Sequence, residues 1–188
     1  MRREAVLKGL AGDVPAVVRP IEYGECQRIL EEWRGDPAES ALKRHRLCLE
    51  WREWGDVFLQ DSGEMFTLDV EERSVGLIEF HYDGELEDET PAVGLLRLAR
   101  RPSTFLLPSV RGVARPLVRE MVRVSLETGH FGQVMVKEAL GPDAQDPTLD
   151  ARALYEHLGF ETLRKNPGEN SYHMELKAPG AGVLVDDL

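Results

Sequence analysis

The sequence predicts a mixed α/β fold, of the α+β kind, and three observations lead to this. Several short segments alternate apolar and polar residues, which is typical of strands. Other segments place apolar residues at helical spacing. The predicted strands come both before and between the predicted helices. The length of 188 residues fits one domain. We expect that domain to span residues 1–177, and residues 178–188 to form a loose tail.

The elements follow in order along the chain. Residues before Val14 are weakly patterned, and 15–21 form the first predicted strand. Residues 22–33 form a predicted helix. A second helix is predicted from about Asp36 to Trp54, because Asp36 is a good N-cap and Pro37 is a good first helical residue. Further strands are expected at 64–70, 74–82, 92–98, 103–107, 133–139 and 172–176, further helices at 114–128 and 148–158, and an acidic loop at 83–90.

Composition excludes several classes of function. The chain carries 34 acidic and 23 basic residues, a formal charge of −11. Such a charge disfavours nucleic acid as a partner. No apolar run is long enough to span a membrane and no signal peptide is evident, so we expect a cytoplasmic protein that does not bind membranes. No two histidines have metal-ligand spacing. His45 and Cys48 are three residues apart, but two ligands do not make a zinc site, so we expect no metal.

The positive charge is concentrated in one region. Residues 90–119 contain no Asp or Glu, but they contain six arginines. Arg111 and Gly112 immediately precede a predicted amphipathic helix whose N–H groups and dipole favour an anion. The loop at 108–115 is therefore a candidate phosphate site. The alternative is a solvated arginine face.

Two segments resemble the GNAT acyltransferase superfamily. The first reads Leu-Leu-Pro-Ser-Val-Arg-Gly at 106–112 and leads into a helix. The second reads Ala-Arg-Ala-Leu-Tyr-Glu-His-Leu-Gly-Phe at 151–160 and is the more specific of the two. In the second segment Gly159 suits a positive φ after the helix end, which lets Phe160 fold back onto Tyr155. Leu154 and Leu158, four residues apart, are expected to face the core.

The resemblance implies a mostly antiparallel central sheet flanked by about four helices, and acetyl-CoA as co-substrate. The coenzyme-binding residues that it implies are Leu106, Leu107, Arg111, Gly112, Val113, Ala114, Arg115 and Pro116. Two of these depart from the family pattern, since Ala114 and Pro116 stand where the family has Gly and Gly or Ala. Proline offers no N–H to a phosphate, so one donor is missing.

The resemblance also implies a direct attack of an amine on the thioester. Tyr155 matches the family tyrosine that protonates the leaving thiolate, and packing alone is its alternative role. No motif fixes the base. Glu79 is our choice, because Glu79 and His81 share one face of a predicted strand, and Asp83 and Glu138 are the alternatives.

The leading functional hypothesis is an acetyl-CoA-dependent N-acyltransferase. Its partner would be a small-molecule or protein amine, and a homodimer is compatible with it. The alternative is a non-catalytic binding or regulatory protein of the same fold, with a coenzyme loop closed by Ala114 and Pro116. A third hypothesis, ranked well behind, is that the arginine-rich segment binds RNA or another polyanion.

Overall fold

The computed structural model describes residues 2–9, 12–36, 54, 62–103, 110–141 and 150–177. The chain forms two compact units, of residues 1–80 with 97–118 and of residues 81–96 with 119–188. The strands are β1 (Arg3–Gly9), β2 (Gly12–Pro20), β3 (Gly63–Val70), β4 (Arg73–Glu85), β5 (Pro91–Arg100), β6 (Val110–Arg111), β7 (Val134–Leu140), β8 (Glu161–Lys165) and β9 (Ser171–Leu176), and the helices are α1 (Tyr23–Arg34), α2 (Ala114–Glu127) and α3 (Ala151–His157).

In the first unit the strands pair in the order β6-β1-β2-β3-β4-β5. The pairings of β1 with β2, β1 with β6 and β2 with β3 are antiparallel. The turn between β3 and β4 places Glu71 and Glu72 at φ 49° and 64°. Two consecutive residues at positive φ are typical of the tight hairpin turn that matches strand twist.

Helix α1 supplies much of the core of the first unit. Its buried residues are Cys26, Ile29, Leu30 and Trp33, which recur at the predicted helical spacing. Burying this stripe against the sheet removes large apolar surfaces from water, which is the main stabilising contribution. The cluster comprises Ile21, Cys26, Ile29, Leu30, Trp33, Trp54, Met65, Leu77 and Ala99.

In the second unit the strands pair in the order β4-β5-β7-β9-β8. Strand β7 runs parallel to β5, with Val93 opposite Val134. Strand β9 is antiparallel to both β7 and β8. The fold is therefore mixed α/β with a mostly antiparallel sheet, as predicted, and three helices lie within the described residues.

The predicted helices at 22–33, 114–128 and 148–158 correspond to α1, α2 and α3. The apolar stripe of α2 is buried as predicted, at Leu117, Val118, Met121, Val122 and Ser125. None of the described helices is long and apolar enough to cross a membrane.

Several expectations are corrected by the structure. Strands β1, β6 and β8 were not predicted, and β4 extends to Glu85, which shortens the expected acidic loop. Leu158 is buried, but Leu154 is 39% exposed. The helix ends at His157, so the two leucines do not share one helical stripe. The predicted second helix at 37–53, the strand at 104–107 and the tail at 178–188 lie outside the described residues.

Candidate functional site

The predicted coenzyme loop contains a glycine with a left-handed backbone. Gly112 has φ +78°, and no described atom lies within 4 Å of the position that a Cβ would occupy. A left-handed residue at this point turns the chain from the short strand β6 into helix α2. Among the described residues, the space beside Gly112 is therefore unfilled. Leu106 and Leu107, predicted to pair with the coenzyme, lie outside the described residues.

The start of α2 carries positive charge and no negative charge. Arg111 and Arg115 are exposed, and the first turn contains no acidic residue. The helix dipole adds a partial positive charge at this end. Ala114 and Arg115 are the first two helical residues and Pro116 is the third, so Pro116 removes one of the N–H groups that have no partner within the helix. The N–H groups of residues 112–115 remain as donors.

Gly76 on strand β4 fixes where the first turn of α2 lies. A Cβ at Gly76 would stand 2.5 Å from Val113 Cγ1 and 2.9 Å from Leu117 Cδ1. Val113 and Leu117 are both buried. Only a residue without a side chain lets the helix start pack this closely on the strand. Gly76 thus holds the junction at Gly112 in place.

Glu79, predicted to be the base, is completely buried in the first unit. Its Oε2 accepts a hydrogen bond from Arg97 Nη1 at 2.7 Å. The guanidinium of Arg97 compensates the negative charge of the Glu79 carboxylate in this ion pair. His81, two residues further along β4, hydrogen-bonds through Nδ1 to Asp83. That bond holds the pKa of the Asp83 carboxyl below its usual range.

Tyr155 lies at the end of helix α3, in the second unit, and the helix ends as predicted. Phe160 N donates to Tyr155 O and Gly159 N donates to Glu156 O, both at 3.0 Å. Gly159 has φ +95°. These two bonds around a left-handed glycine define a Schellman motif. The rings of Tyr155 and Phe160 contact each other, with centroids 5.5 Å apart.

The phenol of Tyr155 is held in its protonated form. The residue is 7% exposed, and burial raises the pKa of the phenol. Burial has this effect because a low-dielectric environment disfavours the phenolate. Tyr155 can therefore donate a proton at neutral pH, but it cannot serve as a base there.

The second unit also contains a cleft that the sequence did not indicate. Its volume is about 460 Å³, within the range of small-molecule sites. Glu138, one of the alternative bases, lines this cleft. The other lining residues are Glu85, Leu86, Glu87, Lys137, Arg164, Asn166, Pro167, Glu169 and His173.

His173 and Glu175 form a pair at this cleft that sequence reasoning missed. His173 Nε2 lies 3.1 Å from Glu175 Oε1. Both residues are buried, His173 with 6% and Glu175 with 1% exposure. Their spacing on β9 was the available signal, since residues i and i+2 of a strand face the same side.

Comparison with known proteins shows a likeness in structure only. No protein-family model matches the sequence, and no curated protein matches it. The GNAT domain of S. lividans PAT matches with a TM-score of 0.62 at 15% identity, over 93% of this chain and 96% of that one.

Two further similar structures contain the coenzyme. PaiA N-acetyltransferase from Thermoplasma acidophilum, in complex with coenzyme A, has a TM-score of 0.56 and 13% identity, over 86% of this chain and 98% of that one. The GNAT family N-acetyltransferase YhbS from Escherichia coli, in complex with CoA, has a TM-score of 0.52 and 22% identity, over 93% and 84%. The chain therefore has the fold of the GNAT N-acetyltransferases.

Proposed function

We propose that residues 1–177 form an acetyl-CoA-dependent N-acyltransferase that moves an acetyl group to an amine by direct attack. The observation that carries this proposal is the junction at Gly112, where an open, left-handed glycine precedes a helix start with exposed Arg111 and Arg115. The backbone N–H groups at a helix start, the helix dipole and two cations together suit a pyrophosphate. Similar structures hold coenzyme A.

In this proposal Arg111, Gly112, Val113, Ala114 and Arg115 bind the coenzyme phosphates, together with Leu106 and Leu107 along the thioester arm. Pro116 contributes its ring to the first helical turn but no hydrogen bond, since it has no N–H. Tyr155 protonates the leaving thiolate. Burial raises the pKa of the phenol, so Tyr155 enters the reaction in its protonated form.

The base of the reaction has several candidates among the acidic residues. Glu79, our choice from the sequence, lies in the ion pair with Arg97. Glu138 lines the cleft of the second unit, and Asp83 binds His81. Glu79→Gln in the folded protein tests the first of these, because a base contributes about 10²–10⁴-fold to the rate.

Calorimetric titration with acetyl-CoA tests the coenzyme site, with desulfo-CoA as a second ligand that lacks the thioester. We expect micromolar binding that Arg111→Glu weakens at least about tenfold, because a cation becomes an anion beside the phosphates. Arg34→Glu is the matched control, since Arg34 is an exposed residue at the end of α1. Binding should change less than about twofold in this variant.

A specific observation supports one alternative. Pro116 occupies the third helical position and lacks the N–H that a phosphate could use. A protein with this loop closed to coenzyme A would be a non-catalytic binding module of the same fold. Absence of acetyl-CoA binding up to millimolar concentration, in folded protein, would favour this alternative over the enzyme. Pro116→Gly should then create binding.

A further inference from the structure

We propose that the cleft of the second unit is a binding site for a cation that carries a guanidinium group. This inference goes beyond the proposed function, because all the lining residues belong to the second unit and the site needs no coenzyme. It depends on three features: a buried histidine with one unpaired ring nitrogen, an amide with an unpaired oxygen, and a surplus of carboxylates on the wall.

His173 is a buried polar side chain at the wall of the cleft. The residue is 6% exposed and belongs to the lining. Its Nε2 lies 3.1 Å from Oε1 of Glu175. An ionised carboxylate only accepts hydrogen bonds, so this contact places the ring hydrogen on Nε2 and leaves Nδ1 as a hydrogen-bond acceptor. Within the described residues Nδ1 makes no hydrogen bond.

Glu175 holds the ring of His173 in place and adds negative charge behind it. Its Oε1 also accepts a hydrogen bond from Glu87 N at 2.5 Å. Its Oε2 is buried and has no hydrogen-bond partner among the described residues, and Lys177 Nζ lies 3.8 Å from it. A buried carboxylate that is only partly compensated favours a positive charge nearby. Since the partner and the strand already fix the ring, binding at Nδ1 orders little that is mobile.

Asn166 supplies a second unpaired acceptor to the cleft. Its Nδ2 donates to Lys137 O and to Ser171 Oγ, both at 2.8 Å. Ser171 Oγ donates its own hydrogen to Glu169 Oε2, so it accepts from Asn166. These bonds use both amide hydrogens and identify which side-chain atom is the oxygen. Within the part of the chain that the structure describes, no group donates to Asn166 Oδ1. A ligand that satisfies both Asn166 and His173 therefore has to bring the hydrogens.

The charge of the wall favours a cation. Four glutamates line the cleft against one lysine and one arginine, a net charge of −2 if His173 is not counted. Arg164 Nη1 lies 3.8 Å from Glu87 Oε1, so its positive charge is already compensated in part. Glu85 and Glu138 are exposed, and neither makes a hydrogen bond or ion pair with another described residue. These two carboxylates remain to compensate a bound positive charge.

A guanidinium group fits these features better than an ammonium group does. It presents five N–H donors in one plane and is more weakly hydrated. A ligand that reaches a side chain as buried as His173 gives up water on that side, so weak hydration favours binding. The cleft, with a volume of about 460 Å³, has room for a small molecule. A guanidinium stays protonated and does not attack a thioester, so this is a recognition site and not the place of the transfer.

The test titrates the protein, without acetyl-CoA, with ligands that share one butyl chain. We expect butylguanidine to shift the ring nitrogen signals of His173 in NMR, with a Kd of about 1 mM or lower. Butylamine should bind at least about fivefold more weakly. Butylurea has the same shape without the charge and should bind at least about tenfold more weakly. Comparison with N-acetylargininamide distinguishes an arginine of a peptide, which would bind more tightly than butylguanidine, from a free small cation.

Variants of the lining test which groups hold the ligand. Glu85→Gln/Glu138→Gln removes the two unpaired carboxylates at exposed positions and should weaken butylguanidine binding about tenfold. Glu161→Gln is the matched control, because Glu161 is an exposed glutamate of β8 outside the lining, and it should change binding less than about twofold. His173→Phe keeps a ring but removes the acceptor, and should weaken binding about tenfold.

Failure of the inference and failure of the proposed function give different results. The inference is wrong if butylguanidine does not bind the folded protein below about 10 mM. It is also wrong if butylurea binds equally well, or if Glu85→Gln/Glu138→Gln binds within twofold of wild type. If His173→Phe does not fold, the wild-type titration decides, since saturation without a shift of the His173 ring signals would overturn the inference. None of these measurements contains coenzyme A, so they leave the acetyl-CoA titration to test the proposed function by itself.

Discussion

Two buried glutamates, one in each unit, have partners of different chemistry. Glu79 on β4 binds Arg97 at 2.7 Å, and Glu175 on β9 binds His173 at 3.1 Å. An arginine stays protonated under all physiological conditions, so the Glu79 pair is a fixed ion pair. A histidine is charged only when it is protonated, so the Glu175 pair is not a fixed ion pair. The comparison teaches that burial alone does not identify a catalytic carboxylate, because the partner decides what the carboxylate can do.

Glu79→Ala tests the structural side of this comparison, with the largest expected effect. Removing Glu79 leaves the charge of the partly buried Arg97 uncompensated, which costs about 3 kcal/mol. Urea denaturation followed by tryptophan fluorescence measures the loss, because Trp33 and Trp54 are buried in the same unit. Glu31→Ala, at an exposed position on α1, is the control and should change the free energy of unfolding by under about 0.5 kcal/mol.

A second variant separates the charge from the packing of that pair. Glu79→Leu/Arg97→Met removes both charges and should restore most of the lost stability. If Glu79→Ala costs less than about 1 kcal/mol, the Glu79–Arg97 ion pair does not stabilise the first unit. The structural role assigned to Glu79 is then wrong.

Tyr155→Phe asks whether a second buried group of the second unit takes part in chemistry. The variant keeps the ring contact with Phe160 and removes only the hydroxyl. If Tyr155 is the acid, kcat should fall by about a hundredfold or more, while the melting temperature stays close to that of wild type. A rate within threefold of wild type would assign Tyr155 to packing. Phe160→Leu is the control that disturbs the ring contact without removing the hydroxyl.

Gly76→Ala measures how much the close packing of helix α2 on strand β4 contributes to the stability of the first unit. The added methyl group would meet Val113 Cγ1 at 2.5 Å, so the start of α2 must move. Overpacking of this kind costs about 1–3 kcal/mol. We also expect weaker acetyl-CoA binding, since the same turn follows Gly112. Gly24→Ala is the control, because no described atom lies within 4 Å of the added Cβ. If the affinity for acetyl-CoA is unchanged in Gly76→Ala, the packing of the start of α2 does not determine coenzyme binding.

Glu25→Gln has the smallest expected effect and tests a part-buried ion pair. Hydrogen bonds from Arg19 hold the pKa of the Glu25 carboxyl below its ordinary value. A lowered folded-state pKa contributes stability that is complete above the unfolded pKa and is lost as pH falls through the folded pKa. The stability difference between wild type and Glu25→Gln should therefore shrink as pH falls below the ordinary pKa of a glutamate. It should not exceed about 1 kcal/mol at pH 7, and a difference that grows in acid would contradict the assignment.

Much of the fold could be predicted because buried faces leave a periodic pattern. Helix α2 and the end of α3 at Gly159 followed from apolar spacing and from one glycine. Strand β8 could not be recognised, because four of its five residues are exposed and carry no apolar alternation. Strand β1 has one fully buried residue, Leu7, which is too weak a signal. Its pairing with β2 and β6 is a tertiary contact that local sequence does not contain.

The candidate site could be predicted only where a backbone conformation required particular residues. Gly112 was found from the residues around a turn, and its positive φ is a local property. The pair of His173 and Glu175 was missed because an acidic residue on a strand is most often solvent-exposed. The cleft depends on parts of β4, β7, β8 and β9 that are distant in sequence. Its formation follows from the strand order and not from any one segment.

The cleft is built partly from a strand and partly from a turn, and this division has an evolutionary consequence. His173 is fixed in the hydrogen-bonded ladder of β8 and β9, whereas Pro167 belongs to the connection between these strands and forms part of the rim. Connecting turns tolerate substitution and insertion far better than strands do. Substitutions in the 166–170 turn can therefore reshape the rim of the cleft while His173 stays in its place.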